Sequence, residues 1–366
     1  MGAEWSAATN IGSTVDNNSN RSLSENASAS QSETIFTNFE FQRATETTTL
    51  TFAPSLRWQR FSDNSYGDVA DRNLSGSFQW LQERGQLQLS ATNSIESTLT
   101  AELSETGITN SNTYRRSNQE SASWTRALSQ QISVVVQASY SDVSYYGPNV
   151  APLIVLTGYR YPTVSFAGQF GLTEQASLTA TAFTDKILSR TPDNDSRESG
   201  LELGVNWSVS QTTHLAISIG ASERSIRGVD SSAPVGALSL SRSTSTGSLQ
   251  LAYSYGLVPY GSGFFVEQQQ LSLSGSRSMT EFVSVDASLA GTDTNDSVSG
   301  GVGNRRRYVS VGAGLSWRPL QSWTLRGQLG FNQSRTTLAL EDPLTASGWS
   351  SALTLTWSPQ AQKHSS

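Results

Sequence analysis

Two histidines are the candidate general bases of the chain, and neither stands in a sequence that predicts catalysis. A serine hydrolase needs a base that is hydrogen-bonded to its nucleophile. His214 ends the stretch QTTH at the predicted start of a strand, and no Ser-Asn-Gly companion of the phospholipase type lies beside it. His364 lies in a polar tail at the end of the printed sequence. We therefore predict no catalytic residues and no enzyme activity.

Clustered carboxylates are the second candidate source of chemistry. Asp193, Asp195 and Glu198 stand together in PDNDSRES, where a protease pair and a solvated turn are the two interpretations, and the turn is the simpler one. The stretch TDTNDS at 292–297 resembles a calcium loop only loosely, because it lacks the closing glutamate at the right spacing. The chain has no cysteine, so thiolate metal sites and disulfides are excluded. We expect no metal and no cofactor.

A run of three arginines at 305–307 is the strongest local concentration of positive charge. It opens a predicted strand at the outer rim, where it would either contact the phosphates of lipopolysaccharide or serve as a plain solubilising cluster. The net charge of the chain is -6, and no long basic block is present. We therefore expect no nucleic-acid partner.

A larger set of polar side chains recurs on every second residue of the predicted strands. Most of these residues are Ser, Thr, Gln, Asn and Gly, and the charges among them are sparse and of both signs. The predicted set that lines the interior and forms the substrate path is Glu40, Arg57, Gln86, Gln88, Glu96, Glu202, Arg224, Gln268, Gln270, Asp286 and Arg326. Two interpretations stay open: a solvated wall without a specific ligand, or a hydrated path along which a polar solute makes weak, repeated contacts.

The elements that would position these residues show a period of two. In SLQLAYSYG, for example, Leu249, Leu251, Tyr253 and Tyr255 share one face while serine, glutamine and alanine occupy the other. This alternation predicts β-strands, and no amphipathic helix of useful length is apparent. Hydrophobic residues make up only 36% of the chain, but its 9% aromatic content argues against disorder. No run of about 18 apolar residues predicts a membrane-spanning helix.

The connections between the strands alternate between short turns, such as ERG at 83–85, and long polar loops, such as RTPDNDSRES at 190–199. Strands of about ten residues joined in this way are typical of outer-membrane barrels, which have short periplasmic turns and long outer loops. We predict an all-β, antiparallel up-and-down transmembrane barrel of about 18 strands with both termini in the periplasm. The count falls to 16 if the hairpin near 243–246 is absent. Residues 1–358 form the barrel, and residues 359–366 form a polar C-terminal tail.

The tryptophans support this prediction, because they fall on the apolar face and near the strand ends. Trp and Tyr are enriched where a membrane meets water. Seven tryptophans lie near predicted periplasmic ends and two, Trp58 and Trp349, near outer ends. The predicted aromatic girdle is Trp5, Trp58, Trp80, Trp124, Trp207, Trp317, Trp323, Trp349 and Trp357.

The sequence also predicts a cellular location. A chain without cysteine is suited to crossing an oxidising periplasm unfolded, since no wrong disulfide can form. The opening MGAEWSAATN reads like a replacement start on a mature sequence, from which we infer that an export signal has been removed. The expected location is the bacterial outer membrane.

Several stretches together resemble a family of outer-membrane β-barrels. They are TVDNNSN at 14–20, STLTAELSETG at 97–107, ASYSDVSYYG at 138–147 and LAYSYGLVPYGSG at 251–263. The family is encoded beside exopolysaccharide-synthesis and exosortase (PEP-CTERM) genes, and alginate-type exporters are its nearest functional analogue. The resemblance implies a barrel of about 18 strands that acts as the exit for a secreted polysaccharide. The sequence lacks the arginine- and lysine-rich lumen of the alginate type, which disfavours a strongly acidic polymer.

Three functions follow as expectations. The first is a passive conduit that exports a neutral or weakly charged exopolysaccharide. The others are a non-transporting structural or adhesive barrel and a general diffusion porin. An inward-folded constriction loop with opposed rows of acids and bases would favour the porin, whereas loops folded across the outer mouth, with no pore, would favour the structural barrel. The expected partners are outer-membrane lipid, lipopolysaccharide and the secreted polysaccharide, with a periplasmic polysaccharide-export protein as a further candidate.

Overall fold

The computed structural model describes residues 2–17, 29–62, 68–98, 113–147, 156–191, 195–226, 228–261, 263–295, 304–337, 343–359 and 362–365. Within these ranges the chain forms nineteen strands of one antiparallel sheet. No helix of the described residues is long and apolar enough to cross a membrane. The strands are β1 (Gly2–Asp16), β2 (Ser30–Ala44), β3 (Thr48–Phe61), β4 (Val69–Gln82), β5 (Gly85–Ser97), β6 (Tyr114–Ala127), β7 (Ile132–Tyr146), β8 (Tyr159–Gly171), β9 (Ala176–Ser189), β10 (Ser196–Ser210), β11 (Thr213–Ile226), β12 (Val229–Thr244), β13 (Gly247–Pro259), β14 (Phe265–Ser278), β15 (Val283–Asn295), β16 (Arg305–Leu320), β17 (Trp323–Thr337), β18 (Leu344–Trp357) and β19 (Gln362–Ser365).

The sheet closes on itself through its first and eighteenth strands. Each strand from β1 to β18 pairs with its neighbours in sequence, and β1 also pairs with β18 from Thr9↔Trp357 to Asp16↔Ser350. Closure pairs the backbone groups that an open edge would leave exposed to lipid. The predicted all-β antiparallel barrel of 18 strands is therefore confirmed. The alternative of 16 strands is wrong, because β12 and β13 form the uncertain hairpin with Thr244 opposite Gly247.

Two predicted strands differ from the structure by six or seven residues at one end, several others differ by one to four, and the polar tail contains an additional short strand. The strand expected over 86–103 ends at Ser97 as β5, and residues 99–103 lie outside the described residues. The strand expected over 236–243 begins at Val229 as β12, seven residues earlier, because Pro234 and Gly236 interrupt the apolar alternation in its first half. In the polar tail, β19 pairs with Gly2–Trp5 of β1.

The alternation seen in the sequence becomes two faces of the wall. Leu240, Leu251, Leu273 and Leu289 are register partners across four successive strands and share the outward face. Large apolar side chains on this face are exposed, with Leu201 at 68% and Leu203 at 67%. An exposed apolar belt of this kind is what a surrounding bilayer would cover. The intervening serines, threonines and glutamines therefore face the lumen.

The two ends of the barrel differ in their connections. At one end every turn between strands is short, and four turns use the same Ser/Thr cap. Thr45, Ser129, Thr173 and Thr280 each accept a hydrogen bond from the backbone N–H three residues later, at 2.9 to 3.1 Å. Hydroxyl groups stabilise turns by such local bonds. By the rule for outer-membrane barrels this is the periplasmic end, and the opposite end, which carries the long loops, is the outer end.

Candidate functional site at the outer mouth of the barrel

All eleven residues predicted to line the interior lie on the lumen-facing side of the strands. Arg57 of β3 shows the pattern, since it alternates with Leu56 and Trp58 of the outward face. Most of the set lies along the open, solvated part of the lumen, but Arg224 and Gln268 are buried near the outer end. Ten of the residues follow this same alternation on β2, β5, β10, β11, β14, β15 and β17: Glu40, Gln86, Gln88, Glu96, Glu202, Arg224, Gln268, Gln270, Asp286 and Arg326.

The three lumenal arginines of this set are each held in an ion pair. Arg57 pairs with Asp71, its register partner on β4, and the Arg57 Nε donates to Asp71 Oδ2 at 2.8 Å. Arg326 on β17 donates to Asp286 Oδ2 on β15 at 2.7 Å, so this pair spans the intervening strand β16. Arg224 pairs with Glu267. These pairs reduce the charge that the lumen presents to a solute.

The β13–β14 hairpin leaves the wall at the outer end and folds into the lumen. The β12–β13 register ends at Gly236↔Tyr255, while β13 stays paired with β14 as far as Pro259↔Phe265. The turn between them is closed by Tyr260 N–H donating to the Phe264 carbonyl at 3.1 Å. Its described residues are buried, and Phe265 is only 1% exposed. The hairpin tip is therefore enclosed by other parts of the barrel.

On one side the hairpin tip packs against lumen-facing residues of β7, β8, β9 and β11. The buried apolar cluster unites Val143, Tyr159, Ile187, Ile226, Tyr260, Phe264, Phe265 and Val266. The rings of Tyr161 and Phe265 meet edge to face, with centroids 5.8 Å apart. The backbone N–H of Thr157 donates to the Gly261 carbonyl at 2.6 Å. Apolar packing and a backbone hydrogen bond thus fix the tip to this wall.

Gly263 makes this contact sterically possible. Its φ of +84° lies in the left-handed region that favours glycine. A Cβ at this position would meet Ser189 Oγ at 2.5 Å and the Thr157 methyl carbon at 3.3 Å. The tip therefore approaches the wall so closely that no side chain fits between them.

On the other side the tip contacts β16. The guanidinium of Arg306 lies over the ring of Tyr260, 5.4 Å from its centroid, in cation–π geometry. Arg306 is itself buried. Because seven strands lie between β8 and β16 on one side of a ring of eighteen and nine on the other, these two strands form nearly opposite walls. The hairpin therefore crosses the mouth from one wall to the other.

Polar groups are enclosed beneath the hairpin. Arg224 on β11 donates to Glu267 at the base of the hairpin, and its Nε donates to Ser231 Oγ at 2.9 Å. Glu198 on β10 is also buried. Tyr161 donates to Asp185 Oδ2 at 3.3 Å. The apolar contacts of the tip thus lie above a buried polar layer in which Arg224 and Glu267 form the link between wall and hairpin.

The periplasmic end of the lumen is open by contrast. A cavity of about 490 Å³ lies there, and mostly polar residues of β6 to β12 line it. His214 is in this cavity, with Ser208 Oγ at 3.1 Å from its Nδ1. No carboxylate lies among the lining side chains except Glu174. This setting offers hydrogen bonds to a polar solute.

The other predicted chemical motifs fall into structural roles. Asp195 accepts a hydrogen bond from the Ser189 backbone at 3.0 Å, whereas Asp193 lies outside the described residues. Within the described part of the chain, no three His, Cys, Asp or Glu residues are grouped to hold a metal. Arg305 and Arg307 form ion pairs with Asp293 on the outward face of the wall, with N···O distances of 2.6 and 3.1 Å. Arg306, between them, points into the lumen toward Tyr260. The arginine run is therefore divided between the two faces of the wall.

The nine tryptophans of the predicted girdle lie on the outward face and near strand ends. Trp323 and Trp357 are register partners at the periplasmic end, and Trp80 and Trp124 both lie opposite Leu87. At the outer end Trp349 is 63% exposed and packs on Phe331, with ring centroids 4.7 Å apart. The remaining members occupy the same face: Trp5, Trp58, Trp207 and Trp317.

The inward fold of the hairpin was not predicted, although the sequence carries a signal for it. In GLVPYGSGFFV (256–266) apolar side chains stop alternating: Leu257 and Val258 are consecutive, as are Phe264, Phe265 and Val266. A strand with apolar residues on both faces is expected to be buried on both faces. The hairpin does not meet the condition given above for a general diffusion porin. Its tip packs in an apolar cluster and, among the described residues, does not face opposed rows of acids and bases.

Comparison with known proteins gives matches at the level of structure alone. No family model and no curated protein matches the chain. The siderophore receptor PirA from Pseudomonas aeruginosa is 10% identical with a TM-score of 0.49, covering 97% of this chain and 80% of its own. The ferric enterobactin receptor PfeA from the same organism is 9% identical with a TM-score of 0.48, covering 96% and 80%. The FrpB iron transporter from Neisseria meningitidis is 9% identical with a TM-score of 0.48, covering 97% and 81%.

These findings correct the expected function. The hypothesis of an exopolysaccharide exporter is wrong: the matching structures named above are siderophore and iron receptors or transporters, not polysaccharide exporters. The physical reason lies in the mouth, where the hairpin joins β8 to β16 across the path that a polymer would take. At identities of about a tenth the likeness concerns the fold alone. The chain is a closed antiparallel barrel whose wall has 18 strands.

Proposed function

We propose that this outer-membrane barrel is a gated channel for small polar solutes, which the β13–β14 hairpin holds closed at rest. The observation that carries the proposal is the two-sided attachment of the hairpin tip, through Phe265 to Tyr161 on β8 and through Tyr260 to Arg306 on β16. A loop attached to one wall would narrow the lumen. A loop attached to opposite walls divides the lumen from the exterior.

The polar lumen beneath the hairpin supports a transport role. The cavity at the periplasmic end has a volume of about 490 Å³, which is within the range of small-molecule sites at roughly 300–1,000 Å³. Hydroxyl and amide groups line it, and three of the lumenal arginines, Arg57, Arg224 and Arg326, are paired with Asp71, Glu267 and Asp286. Such a surface exchanges hydrogen bonds with a solute without holding it tightly. We therefore expect weak selectivity between cations and anions in the open state.

The apolar contacts of the hairpin account for a closed resting state. Moving the tip out of the mouth would expose Phe264, Phe265 and Val266, which are all buried. Each such side chain contributes about 1.5–3 kcal/mol when it is buried, so the three together favour the closed state by roughly 5–9 kcal/mol. Opening then requires a partner or a solute that binds the open state better.

Conductance measurements in planar bilayers test this proposal. The wild-type barrel is compared with a variant in which Val258–Val266 is replaced by the two-residue turn Asn-Gly, which joins the register partners Leu257 and Glu267. We expect wild-type protein to be almost non-conducting and the shortened variant to form stable, weakly selective pores. Steady conduction by wild-type protein would refute the gate. A shortened variant that stays closed would refute the channel and favour a non-transporting surface barrel, the second candidate that a crossed mouth supports.

A further inference from the structure

A basic patch lies on the outward face of the wall at the outer ends of β8, β9 and β10. It consists of Arg160, Lys186, Arg190 and Arg197, and the acidic residue Asp142 of β7 borders it. All four basic side chains are exposed. Lys186 and Arg197 lie on the lipid-facing side of their strands. Each is four residues from an outward-facing residue on the same strand, Ala182 on β9 and the exposed Leu201 on β10.

The protein pairs only two of the four basic residues of this patch with an acid. Asp142 pairs with Arg190 at 2.7 Å and with Arg160 at 3.8 Å. Lys186 and Arg197 are direct register partners, and neither forms an ion pair within the described part of the chain. Like charges directly opposite each other destabilise a sheet. An anion bound between them would remove this cost.

The height of the basic patch indicates the level at which an anion would bind. Arg197 lies four residues beyond Leu201 along β10, which corresponds to about 13 Å of strand. For a strand tilted by about 40° this is roughly 10 Å above the apolar belt, at the level of lipid head groups rather than of bulk solvent. An anionic partner at this height would belong to the head groups of the outer leaflet.

Basic residues at the periplasmic end of the same outward face are arranged differently. Arg126, Arg242 and Arg277 lie opposite Gly85, Leu249 and Val285, respectively, so none of them faces another cation across its strand pair. At the outer end a second pair of cations, Arg307 and Arg335, are also register partners. Among these outward-facing positions, opposed cations occur at the outer end, and in the part of the chain that the structure describes only the pair of Lys186 and Arg197 is without an acid, because Arg307 is also paired with Asp293.

We propose that the basic patch of Arg160, Lys186, Arg190 and Arg197 binds the phosphate groups of a phosphorylated glycolipid of the outer leaflet, the lipid A portion of lipopolysaccharide. Lys186 and Arg197 would share one phosphate, because they face each other across one register pair. Arg160 and Arg190, held together by Asp142, would form the adjoining side of the site. This binding does not depend on whether the hairpin opens.

Binding of purified lipid A to the purified barrel in detergent tests the site, with phosphorylated and dephosphorylated lipid A as the two probes. The test variant is Arg160→Gln, Lys186→Gln and Arg197→Gln, and the matched control is Arg126→Gln, Arg242→Gln and Arg277→Gln. Each basic residue near an anionic surface contributes about five-fold to binding, so we expect the test variant to lose roughly a hundred-fold in affinity for phosphorylated lipid A and the control to lose little.

The second probe and a competitor decide the remaining outcomes. Dephosphorylated lipid A should bind wild-type protein and the test variant equally. Equal losses in the test and control variants would overturn the proposal, because the effect would then follow net charge rather than position. Displacement of lipid A by millimolar inorganic phosphate would also overturn it, since the patch would then be a site for small anions. Circular dichroism confirms that each variant retains the barrel.

Discussion

Substitution of Gly263 by alanine should open the outer mouth of the barrel. The new Cβ would lie 2.5 Å from Ser189 Oγ and 3.3 Å from the Thr157 methyl carbon, and the φ of +84° strains any residue other than glycine. The left-handed conformation costs alanine about 1–2 kcal/mol. Overpacking against the wall adds about 1–3 kcal/mol. The overpacking cost is relieved when the tip leaves the wall, so it favours opening, whereas the conformational cost belongs to the turn itself and mainly lowers stability.

Gly228 provides a matched control for the backbone term. It lies between β11 and β12 at the same end of the barrel with a φ of +77°, but a Cβ there meets no atom within 4 Å. Gly228→Ala should therefore lower stability by about 1–2 kcal/mol without changing conductance. The overpacking term alone makes the ratio of closed to open states about 5- to 150-fold lower in Gly263→Ala, because each 1.4 kcal/mol is a factor of ten.

Single-channel recording in planar bilayers measures this effect as open probability. Combining Gly263→Ala with Ser189→Ala should restore much of the closed state, because it removes the Oγ and leaves the Cβ of residue 189 at 3.4 Å. Equal conductance of the Gly263→Ala and Gly228→Ala variants would refute the reasoning, since it would mean that contact with the wall does not hold the hairpin.

Two further predictions concern stability, measured by urea unfolding in lipid vesicles. Arg224→Ala removes an ion pair in which the arginine side chain is 8% exposed and Glu267 26%, and it should cost up to about 3 kcal/mol. Arg326→Ala removes a pair that is about one third exposed and should cost about 1 kcal/mol or less, so equal losses would contradict the burial of the first pair. Leu273→Arg on the lipid face should cost about 2–4 kcal/mol, whereas the lumen-facing Ser274→Arg should cost little. Similar costs at these two neighbours would show that the faces are assigned the wrong way round.

The strands and their two faces could be predicted from the sequence because both depend on a local period of two. Leu249, Leu251 and Tyr253 alternate with small polar residues, and this alone sets which side chains meet lipid. Short turns between such strands fix the register of neighbours. The position of Asp71 opposite Arg57 was therefore within reach of the same reasoning, although it was not predicted.

The closure of the mouth could not be predicted in this way because it depends on contacts between distant strands. Nothing in the local sequence of Tyr260 shows that Arg306 will lie over its ring. The loss of alternation at Phe264–Val266 indicates burial on both faces, but it does not identify the wall that provides the second face. That wall follows from the closure of the barrel, which places β8 opposite β16.

The position of the hairpin across the mouth is tested most directly by a disulfide between residues 189 and 263. The chain has no cysteine, so Ser189→Cys and Gly263→Cys introduce the sole pair. The Cβ positions lie 3.4 Å apart, close to the disulfide range of about 3.5–4.5 Å. Ser248→Cys and Ser276→Cys, on register partners of the wall, form a control pair that should crosslink in any folded barrel. We predict that both pairs oxidise to completion in intact outer membranes; a control pair that crosslinks while residues 189 and 263 stay reduced would contradict a hairpin docked across the lumen.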